Sequence, residues 1–158
     1  PRLIRRLGLG PLRLQDQAYT VVRLLVDTSV WSLAFRNNAP STLPKIRRLA
    51  QALREGEQVF TTGLVLQELL QGFPDDEARD LILERFSVLP HVVPDGRDYV
   101  DAAELRRRLA SEGLRIGTID ALLAQLCLRH DLTLLTTDLA FNRVAEMTSL
   151  SVVRGGAA

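Results

Sequence analysis

Four of the nineteen acidic residues stand where an acid needs a reason. Asp27 follows the apolar run Leu24-Leu25-Val26, and Asp138 follows Leu134-Leu135-Thr136-Thr137. If both runs are buried parallel strands, both aspartates lie at strand carboxyl ends, the edge of an open α/β sheet where ligands bind. Glu68 interrupts Leu64-Val65-Leu66-Gln67-Glu68-Leu69-Leu70. At about 100° per residue it falls between Leu64 and Val65 and beside Leu69, on a face otherwise apolar. A carboxylate there is costly unless paired, protonated or bound to a cation. Asp120 sits in the first turn of a helix opened by Thr118, where the helix dipole favours an acid. Each has an ordinary reading when taken alone: a turn, a cap, or a partly exposed glutamate if Leu66 and Leu70 face the core.

Together they are different. Two carboxylates about 5 Å apart at an effective dielectric of about 20 repel by roughly 3 kcal/mol. Four would raise one another's pKa or recruit a cation. All-oxygen ligation suits Mg²⁺ or Mn²⁺ and not zinc, which prefers His and Cys. The two histidines, His91 and His130, and the one cysteine, Cys127, show no zinc-type spacing and read as structural. Four hydroxyls adjoin the acids and could position water or phosphate: Thr28, Ser29, Thr118 and Thr137. Ordinary capping accounts for any one of them.

Only a folded sheet brings these residues together, and the chain carries the pattern for one. Short β-branched or apolar runs at 21–26, 58–61 and 133–137 read as strands, with weaker ones at 91–93 and 151–153. Between them lie helix patterns. Asp27-Thr28-Ser29 offers N-caps for a helix through Trp31, Leu33 and Phe35. Ser41-Thr42 opens a second, with Ile46, Leu49, Ala50 and Leu53 inward and Gly56 closing it. Further helices span 63–71, 75–86, 95–111 and 118–130. On the long one, Val100, Ala103, Leu105 and Leu109 are expected inward and Arg106-Arg107-Arg108 mostly outward. Strands alternating with helices imply a three-layer α/β/α sandwich around a short, mainly parallel sheet.

Length and charge bound the rest. A chain of 158 residues, 46% hydrophobic and 25% charged, is one globular domain. No apolar run nears the roughly 20 residues that cross a bilayer. A lone cysteine fits a reducing, cytoplasmic compartment. The net charge of +1 argues at first against a polyanionic ligand. Yet residues 1–23 hold five arginines against one aspartate, leaving 15 basic and 18 acidic residues in the remainder. Residues 1–20 read as a basic extension and 21–158 as the domain. Arg36, Arg47, Arg48, Arg106, Arg107, Arg108, Arg115 and Arg143 could steer a phosphate backbone.

Four segments carry a resemblance: Val26-Asp27-Thr28-Ser29-Val30-Trp31, Val65-Leu66-Gln67-Glu68-Leu69-Leu70-Gln71-Gly72, Thr118-Ile119-Asp120-Ala121-Leu122-Leu123-Ala124, and Leu134-Leu135-Thr136-Thr137-Asp138 with Phe141. In order and spacing they resemble the PIN domain, and more closely the VapC-type toxins of type II toxin–antitoxin modules, over residues 24–154. The resemblance implies a Rossmann-like fold and a Mg²⁺-dependent endoribonuclease. It also implies a VapB-type antitoxin whose tail covers the site, and commonly a homodimer. Asp27, Glu68, Asp120 and Asp138 would then be the catalytic metal-binding acids. Many relatives carry a further acid where Ala140 stands here. The residues alone also leave open a PIN-like nuclease acting on DNA or structured nucleic acid, and a non-catalytic acidic binding module. A receiver domain fits poorly, since Thr28 follows Asp27 and the only lysine, Lys45, lies in an early helix.

Overall fold

Leu24, Leu25 and Val26 are all fully buried, although successive strand residues point to opposite faces of a sheet. The sheet that contains them is therefore covered on both sides, which gives the three-layer sandwich. The structure is a computed structural model that describes residues 22–36 and 42–154. The expected basic extension over 1–20 lies outside the described residues, as does Ser41. Among the described residues four strands form the sheet: β1 (Arg23–Val26), β2 (Gln58–Phe60), β3 (Thr133–Leu135) and β4 (Ser151–Val152). All pairings are parallel, in the order β2-β1-β3-β4. The chain thus leaves β1 to one side for β2 and returns to its other side for β3. The carboxyl ends of β1 and β3 flank the point where strand order reverses, where a crevice opens in sheets of this kind.

Among the described residues seven helices connect the strands: α1 (Thr28–Phe35), α2 (Pro44–Glu55), α3 (Gly63–Gln71), α4 (Asp76–Phe86), α5 (Gly96–Ser111), α6 (Thr118–His130) and α7 (Ala140–Met147). Trp31 and Phe35 of α1 stack with Phe86 of α4, the Trp31 and Phe86 rings 5.1 Å apart, and Phe73 closes the cluster edge-on to Phe35. Such pairs are worth about 0.5–1.5 kcal/mol beyond their area. Helices α5 and α6 pack on each other along their length.

Several expectations are corrected. Helix α2 starts at Pro44 after Leu43 with no side-chain cap, so Thr42 does not open it; proline at the first turn supplies the fixed φ instead. The strand expected at 91–93 shrinks to one bridge between Thr61 and His91, because Pro90 and Pro94 deny the ladder its donors. On α5 the inward face is Asp98, Ala102, Leu105 and Leu109, whereas Val100 and Ala103 are exposed. Helix α7 falls outside the expected pattern altogether; Phe141 and Val144 anchor it in the core.

Asp98 explains the rotation of α5. Its carboxylate is wholly buried, accepts the Asp95 backbone N–H at 2.9 Å and the Arg129 guanidinium of α6 at 2.8 Å. Asp95 returns the capping bond to the Asp98 N–H and also meets Arg129 at 2.8 Å. The start of α5 is so locked to the last turn of α6. Asp98→Ala removes two charged hydrogen bonds and is expected to cost about 1.5–3 kcal/mol. The urea midpoint should fall with an unchanged m-value; an unshifted midpoint would refute the lock.

Candidate active site

The β1–β3 register sets Val26 against Leu135, and the Asp27 N–H extends the ladder to the Leu135 carbonyl at 2.9 Å. One residue further, Asp27 stands beside Thr136. Thr136, 2% exposed, donates its hydroxyl to Asp27 Oδ2 at 2.7 Å, and Ser29 Oγ donates to the same oxygen at 2.6 Å. Thr136 Oγ1 also accepts the Asp138 N–H at 3.0 Å, and Ser29 Oγ accepts the Thr137 N–H at 3.1 Å. Two hydroxyls thereby tie the first aspartate to the loop that carries the fourth. Asp138 Oδ1 in turn accepts the Ala140 N–H at 2.8 Å, which starts α7.

Glu68 reaches the site from α3, whose buried face is Val65 and Leu69 with Leu66 and Leu70 only partly covered. The glutamate sits at the rim of that face and accepts the Thr28 hydroxyl at 2.7 Å. Thr28 and Ser29 therefore serve carboxylates, and the helix cap they were expected to supply is absent. Asp120 comes from the first turn of α6, where its Oδ2 accepts the Gly117 N–H at 3.1 Å. Since α6 precedes β3 and runs against it, its N-terminus lies at the same sheet edge.

Each of the four carboxylates thus commits one oxygen: Asp27 Oδ2, Glu68 Oε2, Asp120 Oδ2 and Asp138 Oδ1. The other oxygen of each accepts no hydrogen bond from the described residues, and none of the four forms an ion pair with a described Arg, Lys or His. Burial raises the Asp120 pKa, and the charges of Asp138, Asp27 and Glu68 push the same way against the Gly117 N–H. The other three acids lie close enough for their charges to act on Asp120, but among the described residues no three acids, histidines or cysteines enclose an ion by themselves. A hard cation that keeps water ligands and takes one or two carboxylates fits such an arrangement; a caged, fully protein-ligated ion does not.

The remaining expected residues divide. The hydroxyls of Thr118 and Thr137 are exposed and form no hydrogen bond within the described residues, although the Thr137 backbone joins the network. Thr118, Arg107 and Arg115 line one groove of about 550 Å³ with an apolar floor, beside Asp120. Arg107 is held by Glu104 at 2.6 Å and Arg106 by the Ile116 carbonyl at 2.9 Å. Arg48 pairs with Glu57 at 2.6 Å, while Arg36, Arg47, Arg108 and Arg143 are exposed. Cys127 is buried, its thiol pKa driven up by burial with the Asp27 charge adding, as befits a core residue. Thr136 was absent from the expected set; its signal is its place one step beyond β3, opposite Asp27.

A raised pKa means that the fold binds the Asp120 proton more tightly than the unfolded chain does. That contribution is full below the ordinary value of 3.8 and is lost as pH rises through the raised one. Asp120→Asn keeps an oxygen for the Gly117 N–H and removes the charge. In EDTA its urea midpoint should exceed the wild-type value near pH 7 and converge on it by about pH 4. A lower midpoint at neutral pH would contradict the electrostatic account.

The chain is similar to known proteins. A VapC ribonuclease of Mycobacterium bovis and Ribonuclease VapC11 of Mycobacterium tuberculosis are each 29% identical over 129 residues, 80% of this chain and 95% of theirs. The fold is that of VapBC2 from Rickettsia felis, solved with a DNA fragment of its promoter, at a TM-score of 0.67 and 23% identity over 84% of this chain and 98% of that one. It is also that of Mycobacterium tuberculosis VapC20, a sarcin-ricin loop cleaving toxin, at a TM-score of 0.59 and 18% identity over 77% and 94%. The PIN domain model matches residues 24–147, most of the chain. The chain belongs to the PIN-domain family.

Proposed function

We propose that this chain is a metal-dependent endoribonuclease, the toxin of a toxin–antitoxin pair. The observation that carries the reading is the set of four carboxylates at the β1–β3 switch point. Each is oriented by one hydrogen-bonded oxygen, each keeps the other oxygen free of the described residues, and no described cationic side chain pairs with any of them. Asp27 and Asp120 would be the principal ligands of Mg²⁺, or of Mn²⁺, with Glu68 and Asp138 completing the set or orienting water. What such an ion supplies is neutralisation of charge on the phosphoryl oxygens and acidification of water.

The chain's own groups do the positioning. Ser29 and Thr136 hold Asp27 in one rotamer, and Thr28 does the same for Glu68. Arg107 and Arg115 border the groove beside Asp120 and attract a phosphate backbone toward an edge that would otherwise repel it. RNA is favoured over DNA by the 29%-identical relatives, both ribonucleases. The antitoxin is favoured by the structural neighbours, several of which are VapBC complexes. An antitoxin tail laid over this acidic edge would block both cation and phosphate. A second copy of the chain is proposed as the other partner.

Purified chain mixed with RNA and DNA of one sequence should cut only the RNA, and only with Mg²⁺ or Mn²⁺ present. Asp27→Asn and Asp120→Asn should each lose more than about 100-fold in rate, beyond what outer-shell partners contribute, while remaining folded and still binding the antitoxin. Cleavage that survives EDTA, or survives both substitutions, would sink the mechanism. Equal cutting of DNA would replace the substrate class.

A further inference from the structure

We infer that Gly117 is a positioning residue for the Asp120 carboxylate, and that the missing side chain at this one position sets where that carboxylate points. The backbone does not require glycine here: φ is −67° and ψ 163°, an extended conformation open to any residue. As the residue before a helix, glycine is acceptable, ranking with threonine, but it offers no capping side chain of its own, and Ser, Asp or Asn would serve the helix better. What glycine provides is space. A Cβ on Gly117 would lie 2.8 Å from Asp120 Oδ2 and 3.5 Å from its Cγ. Contacts of that length do not occur between real atoms of these kinds, so the carboxylate can fold back onto the Gly117 N–H only because the Cβ is absent.

The other described glycines sharpen the contrast. Gly56 and Gly113 have positive φ and are glycine for the backbone's sake. Gly63 and Gly96 also begin helices, and a Cβ at either meets open space. Gly117 alone among the described glycines would bring a Cβ within 3.0 Å of another group, and that group is a carboxylate of the site. The obstructed atom ends a flexible side chain. An added methyl group is therefore accommodated by turning Asp120 away from its place, and beyond that costs the fold only the modest loss that alanine brings at a helix cap. The consequence for function rests on Asp120 being a cation ligand, as proposed above; the consequence for geometry does not.

Gly117→Ala, with Gly96→Ala as the control and Asp120→Asn as the reference, tests this. In EDTA the urea midpoint of Gly117→Ala should fall only slightly, by what an alanine costs at a helix cap. A crystal structure of the metal-free variant should show the Asp120 carboxylate turned off the residue-117 N–H. Calorimetric Mn²⁺ affinity should fall by about 10–100-fold. Cleavage should recover toward the wild-type kcat as Mg²⁺ is raised, which Asp120→Asn should not allow, and Gly96→Ala should behave as wild type throughout. An unmoved carboxylate with wild-type Mn²⁺ affinity would overturn the role of Gly117, as would a collapse in midpoint that matches the loss of affinity. If instead Asp120→Asn retains wild-type Mn²⁺ affinity, the ligand role of Asp120 fails, and the metal-free crystal structure still decides the role of Gly117.

Discussion

Everything at the site depends on the parallel pairing of β1 with β3. Those strands are far apart in sequence, and their register alone decides what stands opposite Asp27. With Val26 set against Leu135, the hydroxyl of Thr136 reaches Asp27. A slip of one residue would turn every side chain of β3 to the other face. Packing guards against that slip: Leu24, Leu25, Val26, Leu134 and Leu135 fill both faces, so a shift of one would put Thr133 or Thr136 in a leucine's place in a close-packed layer. The hydrophobic layer thus acts on the chemistry as a ruler. Its energy is spent on the fold, and its geometry is inherited by the carboxylates above it.

The site itself runs against stability. Burial and three neighbouring carboxylates all disfavour the charge on Asp120, and no described cationic side chain relieves them. The protein has arginines available and uses them elsewhere. Arg129 ties α5 to α6 through Asp95 and Asp98, and Arg48 pairs with Glu57. Neutral donors do the work at the site: the hydroxyls of Thr28, Ser29 and Thr136, and the N–H groups of Gly117 and Ala140. A hydroxyl or an amide orients a carboxylate without cancelling its charge. An arginine would orient it and quench it, and would occupy the position a cation needs.

How much of this could be read from residue order follows from the range of each interaction. The strands, the helix spans and the four acids are readable because each depends on local pattern: apolar runs, a 3.6-residue period, acids just past strand ends. The face of α5 was misplaced because Asp98 counts as polar in any periodicity, yet a partner 31 residues away makes it the most buried side chain on its turn. Helix α7 was missed because Leu139 gives no cap signal, and the bond that starts the helix comes from a site carboxylate. Thr136 is the same kind of case. Nothing about a threonine after two leucines distinguishes it from its neighbour Thr137, and only the register with β1 makes one a hub and leaves the other's hydroxyl in solvent.

The net charge of +1 acquires a different meaning once the acids have places. An average near zero describes neither the edge, where four carboxylates gather, nor the groove beside it, where Arg107 and Arg115 stand. A nucleic acid approaching as a uniform polyanion would gain little from such a surface and would be repelled at its centre. On the proposed reading that repulsion is useful. The acids stay far enough apart to enclose no ion by themselves, which limits what they cost the metal-free fold. A hydrated cation then needs only one or two of them directly, with water and substrate phosphate filling the other positions. The phosphate is thus held by the same cation that makes the edge tolerable to it, and local arginines and RNA shape must supply whatever recognition remains.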